Sequence, residues 1–324
     1  MKIPVLVYTD IGRDVDDALA ICYMAGNPLI EIVGVVTTHM IPDRRAMIAR
    51  ALLDSVRLES VPVGVGSIHT LDRDSEVPRY LKHHKVNGAT YEGIGLIPCF
   101  QSAKKVMIDC IEKYGKSLMV SVQAPLTDLA KITEKLAGVG GLFIQGNARF
   151  DTGTLEPHSV AYNISEDFRA SISVFHELRD KVPFTIIGKH AAYQCKLEAD
   201  DFEAFRRKGT VAGKYLFDHA KSGIECFAQR DPHSFSQVFK GKPIDEVGIS
   251  SNPYDALLAM AMAHPEMFAF EIFGNHRLAG MLPENHGVID ATASKAHLLS
   301  TIITSCQRST RIRTENTTNA WWRD

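Results

Sequence analysis

Four aspartates fall within eight residues in Thr9-Asp10-Ile11-Gly12-Arg13-Asp14-Val15-Asp16-Asp17, and carboxylates so crowded repel one another unless a cation offsets them. Calcium suits the set best, because it takes about six to eight oxygen ligands in flexible geometry and can share carboxylates with a backbone carbonyl, water and substrate hydroxyls. No thiolate or imidazole cluster of the kind softer metals prefer stands beside them. A structural reading competes, in which Asp14 caps a helix while Asp16 and Asp17 occupy a first turn where the helix dipole favours negative charge. Capping needs one side chain and four are present, so the metal reading is preferred.

The elements that must hold these side chains follow from periodicity. Val5 to Tyr8 is an apolar run of strand length and Asp16 to Ala25 reads as a helix, so the acidic segment spans a strand-to-helix turn, with Gly12 supplying permissive backbone. Ile32 to Thr37 reads as a second strand, and Asp43 to Val56 as a helix with Ala46, Ala49 and Leu53 on one face. Leu118 to Val122, Gly141 to Ile144 and Phe184 to Ile187 look like further central strands. This alternation predicts an α/β fold around a buried, mainly parallel sheet. In such a sheet ligands bind beyond the carboxyl ends of the strands, which would project Asp10 into the crevice. The pattern breaks between Ser67 and Ile97, a polar stretch containing Lys82-His83-His84-Lys85-Val86-Asn87-Gly88 and long enough for a functional loop. It breaks again at Ala148 to Pro157, read as irregular, whereas Asp200 to Val247 is helical with mixed charge.

Composition narrows the classes. A chain of 324 residues can form one large domain or two small ones, and 45% hydrophobic residues with a formal charge of −2 describe a globular enzyme without the basic footprint that nucleic acid or an anionic bilayer requires. The six cysteines are scattered without CxxC spacing and read as buried free thiols rather than zinc ligands. Met1 leads directly into Ile3-Pro4-Val5-Leu6-Val7, too short for a signal peptide's apolar region, and no stretch reaches the roughly 18 apolar residues of a spanning helix, so a cytoplasmic protein is expected.

Asp10-Ile11-Gly12 followed by Asp16-Asp17-Ala18-Leu19-Ala20 resembles the N-terminal fingerprint of the inosine-uridine type nucleoside hydrolases, in the variant with two extra residues before the paired aspartates. Val35-Val36-Thr37-Thr38 is similar to that family's second strand, and Ala124-Pro125-Leu126-Thr127-Asp128-Leu129 resembles its Gly-Pro-Leu-Thr-Asn turn. Tyr254-Asp255-Ala256 through His264-Pro265 resembles its late His-Asp-Pro helix. The resemblance implies a single nucleoside hydrolase-like domain over residues 1–308, with a Rossmann-like core and helices on both faces of the sheet, followed by a polar tail over residues 309–324. It implies calcium-dependent hydrolysis of the N-glycosidic bond of a ribonucleoside or related N-riboside, by a homodimer or homotetramer. Position by position, it implies Asp10, Asp17 and Asp255 as calcium carboxylates and the carbonyl of Gln123 as a main-chain ligand. Asp16 would hold the ribose hydroxyls, Asn163 the far end of the sugar, and His84 with Asn87 would belong to a loop that covers the site.

Several family positions are changed: Tyr8 and Tyr254 stand where an aspartate and a histidine are usual, Ala161 replaces a glutamate, Pro42 or Asp43 falls near a usual sugar-binding asparagine, and Arg13 adds a positive charge. The metal set is kept while sugar and leaving-group contacts are eroded. On this reading Asp10 is the general base, and Tyr254, His84 or His39 protonates the departing base. Tyr254, Tyr80 and Phe150 are candidates to stack on it. Two rivals are weighed. A phosphotransferase of the haloacid dehalogenase type wants an acid/base aspartate two residues after the first, where Gly12 stands. A binding protein that keeps the scaffold and has lost the chemistry is the other.

Overall fold

The computed structural model describes residues 2–71, 100–230, 232–284, 287–309 and 311. His84, Asn87, Tyr80 and most of the polar tail lie outside the described residues.

The strands are β1 (Ile3–Thr9), β2 (Ile30–Thr37), β3 (Val63–Val65), β4 (Gln101–Ser102), β5 (Met119–Gln123), β6 (Gly141–Gln145), β7 (Ala148–Asp151), β8 (Thr154–Pro157), β9 (Phe184–Ile187), β10 (Leu197–Glu198), β11 (Ser250–Ser251), β12 (Glu271–Phe273) and β13 (His276–Ala279). Nine of them form one sheet in the order β12-β13-β9-β6-β5-β1-β2-β3-β4. Every pairing in it is parallel except β12 with β13. The chain builds from β1 outward through β2, β3 and β4, then returns to the other side of β1 with β5 and continues to β6 and β9. The order therefore reverses between β1 and β5, and the crevice at such a switch point is where open parallel sheets bind ligands.

The sheet is buried on both faces because its strands alternate between two cores. Val5 and Val7 of β1 join an apolar cluster with helix α1 (Asp16–Gly26), helix α2 (Pro42–Ser55) and the helices Tyr254–Ala263 and Ala291–Arg308. Leu6 and Tyr8 face the other way, into a cluster completed by the helices Ala103–Tyr114 and Phe168–Leu178. Helices thus cover both faces of a single α/β domain, as expected from the alternation of apolar runs.

Two packing details place the site. Asp255 to Met262 are all buried, so the helix they form is apolar on every side and carries its N-terminus deep into the molecule. Gly26 closes α1 against Ala291–Arg308, where a Cβ would fall 2.1 Å from the Thr301 carbonyl oxygen; only glycine admits that approach.

Ala148 to Pro157 is a hairpin, not an irregular stretch. β7 and β8 pair antiparallel around Thr152-Gly153, whose φ values of 47° and 88° are the left-handed pair of a tight hairpin turn. Three of the four β7 residues are exposed, so the segment lacks the apolar alternation that betrays a strand. Cys22, Cys110, Cys195 and Cys306 are buried free thiols, as expected. Among the described residues, no helix is long and apolar enough to cross a membrane.

Candidate active site

Thr9 ends β1, Gly12 turns the chain with a φ of 114°, and Asp16 and Asp17 begin α1. The residue before the helix is Val15, and no side chain caps α1. Asp14 therefore does not cap the helix; it lines the cavity in front of it. Asp255, on the first turn of the helix Tyr254–Ala263, comes from the last third of the chain to the same place. Asp16, Asp17 and Asp255 each offer a carboxylate oxygen, and these atoms all lie within 4.8 Å of one another.

All three are buried, and few side-chain donors reach them. Thr9 Oγ1 donates to Asp17 Oδ1 while accepting the Ile11 N–H at 3.1 Å. Asp255 Oδ1 has no hydrogen-bond partner among the described residues. Burial, reinforced by repulsion from Asp14 and Asp10, pushes the Asp16 carboxyl up to about 8. Burial and then the neighbouring aspartates raise Asp17 and Asp255 well above the carboxylate range. Asp10 stands beside them, raised by burial but opposed by Arg45 and Arg13. Its Oδ2 lies 3.9 Å from Nη2 of the buried Arg45, which also donates to the carbonyls of His39 at 2.9 Å and Ile11 at 3.0 Å. Buried acids that face mainly one another, with an orphaned oxygen among them, fit a hard divalent cation.

The cluster opens onto a cavity of about 300 Å³, the lower end of the range that holds small ligands. Asp10, Asp16, Asp17, Gln123, Asn163, Tyr254 and Asp255 all line it, whereas the alternative candidates His39 and Phe150 do not. Asn163 Nδ2 donates to Gln145 Oε1 at 2.9 Å, which fixes its amide at the end of β6. The Tyr254 hydroxyl accepts from Asn252 Nδ2 at 3.2 Å, and burial raises its pKa above the ordinary tyrosine value. His39 lies behind Tyr162, its Nε2 3.3 Å from that hydroxyl; burial, with help from Arg45 and Arg13, lowers it to about 3, so the ring is neutral. Phe150 stacks on Phe273 with centroids 4.5 Å apart, away from the cavity lining.

Two changed positions have local explanations. Tyr8 is fully buried and donates to the Pro125 carbonyl at 2.9 Å while accepting the Asp128 N–H at 3.1 Å, tying the turn after β5 to β1. Ala161 precedes a short helix and presents only a methyl group to the cavity. Sequence reasoning did not single out Gln145, Asn147, Tyr162 and Lys189, which also line it. Gln145 ends β6 and Lys189 follows β9 by two residues, so the strand-end rule that pointed to Asp10 would have found both.

A doubly covered, mainly parallel sheet with a buried carboxylate cluster beside the switch between β1 and β5 is an α/β architecture of the kind that binds ligands at that crevice. Residues 5–319 match the family described as inosine-uridine preferring nucleoside hydrolase. The chain belongs to this family and is an N-glycosyl hydrolase. No curated protein matches it. Among solved structures, the purine-preferring ribonucleoside hydrolase from Gardnerella vaginalis is 22% identical, with 94% of this chain and 99% of that one covered and a TM-score of 0.68. The effector protein XOO4466 is 19% identical over 95% of this chain and 94% of its own, with a TM-score of 0.78. The type III effector protein XopQ, solved with adenosine diphosphate ribose, is 18% identical over 95% and 93%, with a TM-score of 0.76. At these identities the likeness concerns the fold.

Proposed function

We propose that the protein cleaves the N-glycosidic bond of a ribonucleoside, or of a related N-riboside, in a calcium-dependent reaction that yields free base and ribose. The observation that carries this reading is the meeting of Asp255 with Asp16 and Asp17 at the switch point of the sheet. Asp10, Asp17 and Asp255, with the Gln123 carbonyl, would hold the ion. Bound there, calcium would supply Lewis-acid charge to orient a sugar diol and to acidify water.

The chain's own groups account for the rest. Asp16, whose carboxylate lies within 4.8 Å of those of Asp17 and Asp255, would take the ribose hydroxyls, and Asn163, held by Gln145, would take the sugar's far end. Asp10 is the general base: both Arg45 and Arg13 oppose the upward push of burial on it, whereas Asp17 feels Arg45 alone and Asp16 and Asp255 mainly their acidic neighbours. Tyr254 is the candidate proton donor to the departing base. Its high pKa makes it a weak acid, so the reading favours substrates whose base leaves with little help. His84 and Asn87 keep their proposed place in a covering loop. The cytoplasm as its location, a homodimer or homotetramer as its assembly and base salvage as its use belong to the same proposal.

A second reading, a nucleoside-binding scaffold without turnover, is favoured by the methyl group at Ala161 and the tyrosine at 254. Base release from a panel of purine and pyrimidine nucleosides, run beside calorimetric binding of the same panel, separates the two. Release in the presence of calcium supports hydrolysis; tight binding with no released base supports the silent scaffold and refutes it.

A further inference from the structure

Gln123 ends β5 in register with Thr9 of β1, and in-register residues of neighbouring parallel strands carry their side chains on the same face of the sheet. Thr9 reaches Asp17 on that face, while Val120 and Val122 of β5 point into the opposite core. The Gln123 side chain therefore stands beside that of Thr9, on the face that carries α1 and the helix Tyr254–Ala263. Gln123 is only 1% exposed, and it lines the cavity together with Asp17 and Asp255. Its Nε2 donates to Ser121 Oγ at 2.9 Å, two residues back along the same face, which leaves the oxygen on the other arm of the amide. That oxygen has no hydrogen-bond partner among the described residues.

A buried amide oxygen without a donor is costly, and a methionine would fill a similar volume without that cost. Asp255 Oδ1 is orphaned in the same way, on a residue that lines the same cavity. A single cation can be ligated by both oxygens at once, whereas a hydroxyl has only one proton to give. We infer that the side-chain oxygen of Gln123 is a ligand of the cation held by the aspartates, in addition to the main-chain carbonyl assigned to that residue above; this rests on the calcium reading and deepens it. A neutral oxygen raises the number of ligands without adding a further negative charge to a crowded acidic site. Calcium gains from that, because it takes about six to eight oxygens in flexible geometry, whereas magnesium holds to an octahedron and usually keeps several of its waters. Gln123 is thereby the group that favours the larger ion.

The test measures calcium and magnesium binding by calorimetry on the full chain stripped with chelator, for the parent protein and for Gln123→Met, Gln123→Asn and Gln123→Glu. Gln123→Met should weaken calcium binding by at least about tenfold and magnesium binding by less, because a water can replace the lost oxygen on the smaller ion. Gln123→Asn, which keeps the amide but draws it back by one methylene, should lose calcium affinity in the same direction and decides the matter if the methionine variant does not fold. Gln123→Glu, which keeps an oxygen in place and adds charge, should hold calcium at least as tightly as the parent. Calcium affinity unchanged in folded Gln123→Met or Gln123→Asn overturns the inference, and so does an equal loss for both ions. A fall in adenosine affinity with calcium affinity unchanged would place the oxygen on the sugar and overturn it as well. Each of these results leaves the aspartate site standing. Parent protein that binds no calcium overturns the calcium reading and this inference with it.

Discussion

The chain buries two groups of aspartates, and they are treated in opposite ways. Asp128 accepts hydrogen bonds from Thr38 Oγ1 at 2.6 Å and from the N–H and hydroxyl of Ser67, with Lys131 Nζ at 3.4 Å. Asp167 is fully buried and accepts from Thr127 Oγ1 at 2.6 Å, the Leu71 N–H at 2.7 Å and the Ala170 N–H at 3.1 Å, capping the helix Phe168–Leu178 in passing. Both are therefore satisfied by the chain, and together they tie the segment after β3 to its neighbours. Asp16, Asp17 and Asp255 are buried to a similar degree but crowd together, with Thr9 as a donor to one and an orphaned oxygen on another. Burial alone does not distinguish a structural carboxylate from a functional one. What distinguishes them is whether the protein itself supplies the donors, since an unsatisfied buried acid is costly and persists where a ligand completes it.

The contrast can be broken most sharply at Asp255 and Asp17. Replacing either with alanine should lower turnover by about three orders of magnitude or more, through loss of a cation ligand in the site, and should abolish calcium binding by calorimetry. In chelator the same variants should unfold at the same temperature as the parent protein or higher, because mutual repulsion has been relieved. At Asp167 the signs reverse: alanine there strands buried donors and should cost about 2–4 kcal/mol in denaturant unfolding, with calcium affinity retained by whatever protein is folded. Tyr254→His should raise turnover of purine nucleosides by about tenfold if protonation of the departing base limits the rate, and an unchanged or lower rate would remove Tyr254 from that role. The smallest effect is expected at Asp14, which lines the cavity without capping α1. Asp14→Ala should change stability by less than about 0.5 kcal/mol, whereas a loss of about 1 kcal/mol would restore it as a helix cap.

The central sheet was legible because its strands are covered on both faces and so run apolar without interruption. β1, β2, β5, β6 and β9 appear where the apolar runs stand: β9 with the same bounds, β5 shifted by one residue, and β1, β2 and β6 extended by one or two. The elements that escaped notice are short or exposed: β3, β4, β10 to β13 and the β7-β8 hairpin gain their pairing from tertiary contacts that no local pattern announces. In the site, the acidic run was conspicuous because its residue types are costly together. Asp255 was legible only through the family resemblance, since an aspartate on the first turn of a helix is ordinary. Gln145 and Lys189 carry no such signal, being single polar residues whose importance depends on which strand ends beside which. The distinction between Asp128 and Asp17 lay wholly out of reach, because it rests on donors that arrive from distant parts of the chain.

The most direct test of the shared cation is base release from a nucleoside by purified protein before chelation, after exhaustive chelation and after calcium is returned. Release that disappears with the metal and comes back with calcium is the expected result. Release that continues undiminished in protein shown by elemental analysis to be metal-free would contradict the account.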